Sequence, residues 1–165
     1  MNDDFDRIGF AWKVHDALDA WTSKVDSKAS IILAVETGVL ALVATLTKDG
    51  PLADLHGRDV SWFRLGIAAI VGAIVMAGAA VFPQLKRSKI KSQWSKNSIY
   101  FGHLRFWNPD KLAEKLEEQS EDMSLEELAR QHVTMASIAW SKHAFLQVSM
   151  WLLPVGVFML FLSTR

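Results

Sequence analysis

Three stretches of almost unbroken apolar sequence constrain this chain more than anything else in it. They run over about 29–47 (SIILAVETGVLALVATL at the centre), 63–82 (FRLGIAAIVGAIVMAGAAVF) and 144–163 (AFLQVSMWLLPVGVFMLFLS). At a helical rise of about 1.5 Å per residue each covers roughly 28–30 Å, the thickness of a bilayer's hydrocarbon. Buried as core helices of a soluble protein, three such runs would need a polar shell that 165 residues, half of them hydrophobic, cannot supply. The expected fold class is therefore all-α: an integral membrane protein with three transmembrane helices extended into a cytoplasmic helical bundle. No run reads as a β-strand.

Lysine and arginine counts orient the spans. Four precede the first span (Arg7, Lys13, Lys24, Lys28), and ten lie between the second and third. Only Lys48 and Arg58, with Arg64 at the edge, lie between the first two, and only Arg165 follows the third. The N-terminus and the long connection are thus expected in the cytoplasm. The opening Asn2-Asp3-Asp4-Phe5-Asp6 is acidic where a signal peptide is basic, so no cleaved leader is expected. The division is then an amphipathic helix over 1–28 running into the first span, 29–47 transmembrane, an external loop over 48–62 turning at Asp49-Gly50-Pro51, and 63–83 transmembrane. A cytoplasmic helical domain follows over 84–143, then 144–163 transmembrane and an external tail of 164–165. A loop and tail so short cannot build a receptor, which leaves sensing to the inside or to the membrane itself.

On the inner side, Phe5, Ile8, Trp12, His15, Leu18, Trp21 and Val25 recur at helical steps. Helical periodicity continues after Pro83 through Ile90, Trp94, Ile99 and Phe101. Asn108 and Pro109 have the chemistry of an N-cap and a first helical residue, opening a short charged helix over 110–118. Ser124-Leu125-Glu126-Glu127 matches a capping box, opening a helix that runs into the last span, with a kink expected at Pro154.

Net charge is zero, which gives no footprint for a nucleic acid polymer. With no cysteine, disulfides, thiolate metal sites and cysteine nucleophiles are excluded. His15, His56, His103, His132 and His143 form no HExxH, and no phosphate loop, GxSxG or GxGxxG occurs; neither an enzyme nor a metal or cofactor is expected.

Glu36 stands in the middle third of the first span, where an ionisable group is costly. It is either a pore or gating carboxylate in an oligomer, or a protonated packing residue bonded to Thr37 or Gln147. In the second span, Ala68 with Gly72 and Ala69 with Ala73 allow close helix approach, within the chain or between copies. Tyr100, His103, Arg105 and Trp107 combine aromatic faces with a cation and donors. That mixture suits a nucleobase and a phosphate, and equally an interfacial belt. Lys28, beside Asp26, and Lys142-His143 sit at membrane entries, as basic anchors do.

Taken in order, these motifs resemble the PycTM-type effectors of Pycsar, the bacterial pyrimidine cyclase system for antiphage resistance. The likeness rests on Asp26-x-Lys28-Ala29 leading into Ile31-Ile32-Leu33-Ala34, on Pro83 closing the second span, on Ile99-Tyr100-Phe101-Gly102-His103, and on Leu128-Ala129-Arg130, Ile138-Ala139 and Lys142-His143 before the last span. It covers roughly residues 15–160. The resemblance implies an effector that answers a cyclic pyrimidine mononucleotide (cUMP or cCMP), made by a partner cyclase on infection, by impairing the inner membrane and aborting the infection. Nothing in the chain resembles a separate cyclic-nucleotide-binding barrel, so a nucleotide would be held by the helical cytoplasmic region: Lys28, His103 and Arg105 for the phosphate, Tyr100 or Trp107 for the base. A homo-oligomer embedded in membrane lipid is expected. A constitutive oligomeric channel or a membrane-anchored scaffold are the alternatives.

Overall fold

In the computed structural model, residues 5–49, 52, 56, 58–82 and 94–165 are described. They form α1 (Arg7–Asp49), α2 (Arg58–Val81), a 3-10 turn (Trp94–Lys96), α3 (Phe101–Leu104), α4 (Pro109–Glu117) and α5 (Glu121–Leu162). There is no strand among them. Three of the helices are long and apolar enough to cross a membrane. The turn at Gly50-Pro51, the proline at 83 and the basic run that follows it lie outside the described residues.

Two compact units divide the chain. A span unit comprises residues 23–83 and 140–165; a head unit comprises 1–22 and 84–139. α1 and α5, with 43 and 42 residues, contribute to both. Each is about 65 Å long, so only about half of either fits within hydrocarbon.

A single periodicity governs the long helices. On α1 the shielded positions are 11, 15, 18, 22, 25, 29, 32, 36, 39, 43 and 46, alternating steps of four and three without a break. On α5 they are 128, 132, 135, 139, 142, 146, 149, 153, 156 and 160, and on α2 they are 63, 66, 70, 73, 77 and 80, in the same alternation. A mean step of 3.5 residues is the seam of left-handed, knobs-into-holes packing. The amphipathic stripe expected of residues 5–28 holds at Ile8, His15, Leu18 and Val25 and fails at its large aromatics. Ala11, Leu18 and Val25 are buried, whereas Phe5, Trp12 and Trp21 are exposed. Close helix approach selects small and medium side chains for the seam, and the large aromatics fall outside it.

In the span unit, α1 and α5 run parallel. Asp26 meets Lys142, and further along Glu36 meets Ser149. α2 returns antiparallel and closes two apolar clusters. One holds Val25, Ala29, Ala80 and Leu146, the other Val43, Leu52, Ile70 and Leu160. α2 presses on α5 at two glycines. A Cβ on Gly66 would lie 2.9 Å from the carbonyl oxygen of Gly156, and a Cβ on Gly156 would lie 2.9 Å from that of Gly66. The contact face is Gly66-Ile70-Ala73-Ala77-Ala80; of the expected pairs at 68/72 and 69/73, Ala73 lies on it and Gly72 beside it, a Cβ there 3.5 Å from Leu152, while Ala68 points outward. α5 stays helical through Pro154.

In the head unit, Asp6 starts α1 by accepting the Gly9 N–H at 2.7 Å. Asn108 caps α4 as expected, accepting the Asp110 N–H at 2.9 Å, with Pro109 first in the helix. Two local expectations are corrected. The helical periodicity expected through 94–101 gives way to the 3-10 turn and an irregular stretch over 97–100. α5 begins at Glu121, and Ser120 serves as its cap, its hydroxyl accepting the Met123 N–H at 3.3 Å. Glu121 and Asp122 in the first turn favour that start through the helix dipole. The supposed capping-box carboxylate, Glu127, is freed for another task.

Candidate functional site

Glu127 organises the head unit. Its side chain is 2% exposed, so its charge needs compensation by hydrogen bonds. Ser98 supplies two, from its backbone N–H to Oε1 and from its hydroxyl to Oε2 at 3.0 Å. The Gln119 amide donates a third to Oε2 at 3.2 Å. One side chain of α5 thereby fixes both the irregular stretch before α3 and the segment between α4 and α5.

The segment 94–107 is closed a second time by tryptophan. The Trp107 indole N–H donates to the carbonyls of Trp94 (3.2 Å) and Asn97 (3.1 Å). The two indole rings meet edge to face, centroids 5.1 Å apart. Inside this closed loop, Tyr100 folds back over Gly102, where a Cβ would collide with the phenol ring. The Tyr100 ring also stands edge-on to the His103 imidazole, centroids 5.3 Å apart. Arg105 is exposed, its guanidinium 4.6 Å from the centroid of the Phe106 ring.

Two polar atoms of this neighbourhood are shut from solvent without a partner: Nδ1 of His103 and Oε1 of Gln119. Burial pushes the His103 imidazole below its usual value of 6.5, and the Glu127 carboxylate opposes that shift. The ring is thereby biased to its neutral form, one nitrogen donating and the other accepting. Unsatisfied buried polar atoms are uncommon in folded proteins and mark places where a ligand or water completes the set.

Of the residues singled out from sequence, Tyr100, His103, Arg105 and Trp107 are brought together in this segment. Lys28 belongs to the span unit, where it is an exposed residue of α1. Glu36 is fully buried there. Its partner is neither Thr37 nor Gln147. The Ser149 hydroxyl donates to its Oε1, while Thr37 donates to the carbonyls of Leu33 and Ala34 and Gln147 faces outward. Glu36 Oε2 is left without a partner. Lys142 is no exposed anchor: it is 4% exposed and lies 2.5 Å from the Asp26 carboxylate.

Reading the sequence missed Ser98, Gln119 and Glu127. Ser98 and Gln119 carried no signal, and Glu127 read only as the close of a capping box. Among the described residues, no three His, Asp or Glu side chains gather as a metal ion would need.

The family model described as the Pycsar effector protein domain, PycTM, matches residues 10–164. The chain belongs to the PycTM family. The match covers both units and all three membrane-crossing helices. Neither the curated proteins nor the solved structures contain a match. As a family member with three such helices, the chain is a membrane protein.

Proposed function

We propose that this PycTM protein is an antiphage defence effector of the bacterial inner membrane, with its N-terminus in the cytoplasm, that answers a cyclic pyrimidine mononucleotide, cUMP or cCMP, by impairing the membrane and aborting infection. The family match carries this reading. The head unit is the cytoplasmic domain in this reading, and the ligand binds within it. The neutral imidazole of His103 and the free acceptor of Gln119 address a pyrimidine's hydrogen-bonding edge, Tyr100 or the remaining surface of Trp107 stacks the base, and Arg105 holds the phosphate. Lys28, the other sequence candidate for the phosphate, belongs to the span unit and is left out of this site. Binding must favour the active state over the resting one to shift their balance.

The consequence is felt in the span unit, where Glu36, buried with one oxygen unpaired, lines the altered pore or interface of a homo-oligomer. α1 and α5 are the elements that belong to both units and so join trigger to effect.

The test is dye release from liposomes carrying the purified protein, with cUMP, cCMP, cAMP, cGMP or no nucleotide. Release on addition of one or both pyrimidine nucleotides supports the reading, and Arg105→Ala should raise the concentration required. Equal release in every sample would instead establish a constitutive channel, and silence from folded protein a scaffold. In a triggered effector, Glu36→Gln alters the release and leaves nucleotide binding intact.

A further inference from the structure

We propose that Glu36 is a proton-binding site of the membrane interior: it carries a proton while the span unit is packed, and that proton has to leave before the span unit can open. This deepens the part of the reading above that assigns Glu36 to the altered pore or interface, and it does not depend on which nucleotide acts on the head unit.

Glu127, Asp26 and Glu36 all face a packed helix, and what each meets decides its charge. Glu127 accepts three hydrogen bonds, as a buried anion requires. Asp26 lies against the ammonium of Lys142 and is 40% exposed, so a cation and water both answer it. Glu36 has neither. It is fully buried, the Ser149 hydroxyl alone donates to Oε1, and among the described residues nothing meets Oε2.

No counter-ion stands near it among the described residues. Glu36 is the one ionisable residue in the apolar stretches 29–47, 65–82 and 144–163. On α5, Lys142 stands seven residues before Ser149, about 10 Å along the axis, and is already engaged by Asp26. His143, beside it, is exposed. On α1, Asp26, Lys28 and Lys48 are each more than two helical turns from Glu36. On α2, Arg58, Asp59 and Arg64 precede Gly66, whose contact with Gly156 lies seven residues beyond Ser149, and Arg165 is further still. An uncompensated anion in such surroundings is far costlier than a neutral acid with one unpaired O–H. The proton is therefore part of the packing.

Its departure has a mechanical consequence. The O–H bond breaks, the proton passes to water, and the electron pair stays on the carboxylate. Along the helices that carboxylate is flanked by two apolar clusters, Val25-Ala29-Ala80-Leu146 on one side and Val43-Leu52-Ile70-Leu160 on the other. Relief comes from a rearrangement of α1 against α5 that brings water to the charge, and water at that depth is the beginning of a leak. The protonated packing residue and the gating carboxylate are then one residue in its two charge states.

The test uses the full-length protein in lipid vesicles without nucleotide. At neutral pH, the infrared difference between the wild type and Glu36→Gln should contain the carbonyl stretch of a protonated carboxylic acid and no carboxylate bands. Ser149→Ala should move that stretch to higher frequency, because the hydroxyl donating to Oε1 is gone; this assigns the band even if Glu36→Gln packs poorly. Raising the pH to about 9, where deeply buried carboxyls ionise, should remove the band and speed dye release several-fold in the wild type but not in Glu36→Gln. Carboxylate bands at neutral pH, or a stretch indifferent to Ser149→Ala, overturn the proposal. So does a band that survives the alkaline step, a band lost without faster release, or equal release from both chains. Because no nucleotide is added, failure here leaves the nucleotide reading standing, and a chain that answers no nucleotide can still pass.

Discussion

Replacing Glu127 with alanine should loosen the head unit far more than replacing it with glutamine. The carboxylate accepts the Ser98 N–H, the Ser98 hydroxyl and the Gln119 amide while almost wholly buried. Alanine removes all three acceptors. The serine hydroxyl can turn to another partner, but the Ser98 N–H and the Gln119 amide cannot easily do so. With each orphaned donor costing about 1–3 kcal/mol, and a small cavity added, the loss is roughly 3–5 kcal/mol. Glutamine has nearly the same shape and keeps one acceptor oxygen for the Ser98 N–H. Its own NH2 group can be met by the Gln119 carbonyl, which has no partner in the native arrangement, once that amide turns over. Its cost should be nearer 1 kcal/mol, an ordinary neutral hydrogen bond exchanged for a charge-assisted one. The assay is hydrogen exchange at the Ser98 amide in nanodiscs, which reads local opening. Exchange there should accelerate by roughly two to four orders of magnitude in Glu127→Ala and by about fivefold in Glu127→Gln. Near-native protection in the alanine variant, or equal acceleration in both, would show that Glu127 does not hold this segment.

Gly156→Ala should destabilise the span unit by about 1–3 kcal/mol, since its Cβ would lie 2.7 Å from the Ile70 side chain, whereas Gly38→Ala should be neutral or mildly stabilising because nothing lies within 4 Å of its added carbon. Thermal melting in one detergent compares the two. The Asp26–Lys142 pair should respond asymmetrically, because the lysine side chain is 6% exposed and the aspartate 40%. Asp26→Ala strands a buried ammonium at about 3–5 kcal/mol, while Lys142→Met leaves a carboxylate that water still reaches, at about 1–2 kcal/mol. The same melting series would show it, and equal losses would refute the burial argument. Finally, acid should weaken the head unit. Burial holds His103 and His132 below 6.5, with the charge of His15 adding to the effect at His132 and Glu127 opposing it at His103. The unfolded chain then binds protons first, so this stability is complete above about pH 6.5 and is lost as the pH falls through the folded values. Limited proteolysis of the head unit across pH 5–8 should show the trend, with His132→Gln flattening it.

The spanning helices were legible because one physical quantity, apolar length, decides them, and the start of α4 because Asn108-Pro109 is a wholly local signal. What escaped the sequence was pairing. Ser124-x-x-Glu127 satisfied a local motif, yet the true start of α5 lies four residues earlier, with Ser120 as its cap, and Glu127 answers to Ser98, 29 residues away. The partner of Glu36 is 113 residues distant and invisible to any local rule. On α1, Ile8, His15, Leu18 and Val25 were read to the correct face, and the aromatics were misplaced for a related reason. Hydrophobicity ranks Trp12 and Trp21 above Ala11 and Thr22, whereas helices that approach closely rank by size. In the candidate site, clustered aromatics pointed to the right segment, and the acid that organises it lay outside the sequence's reach.

The uninterrupted seams of α1 and α5 also impose a rule on how such chains can change length over evolutionary time. Adding one residue within α1 turns everything beyond it by about 100°, carrying Glu36 from the interior to the lipid face. Only additions of seven restore the phase, and only if α5 gains the same seven at the matching height, since otherwise Lys142 no longer meets Asp26. Homologues with longer or shorter heads should therefore differ from this chain in paired steps of seven residues, and isolated one- or two-residue gaps should collect in the connections between helices.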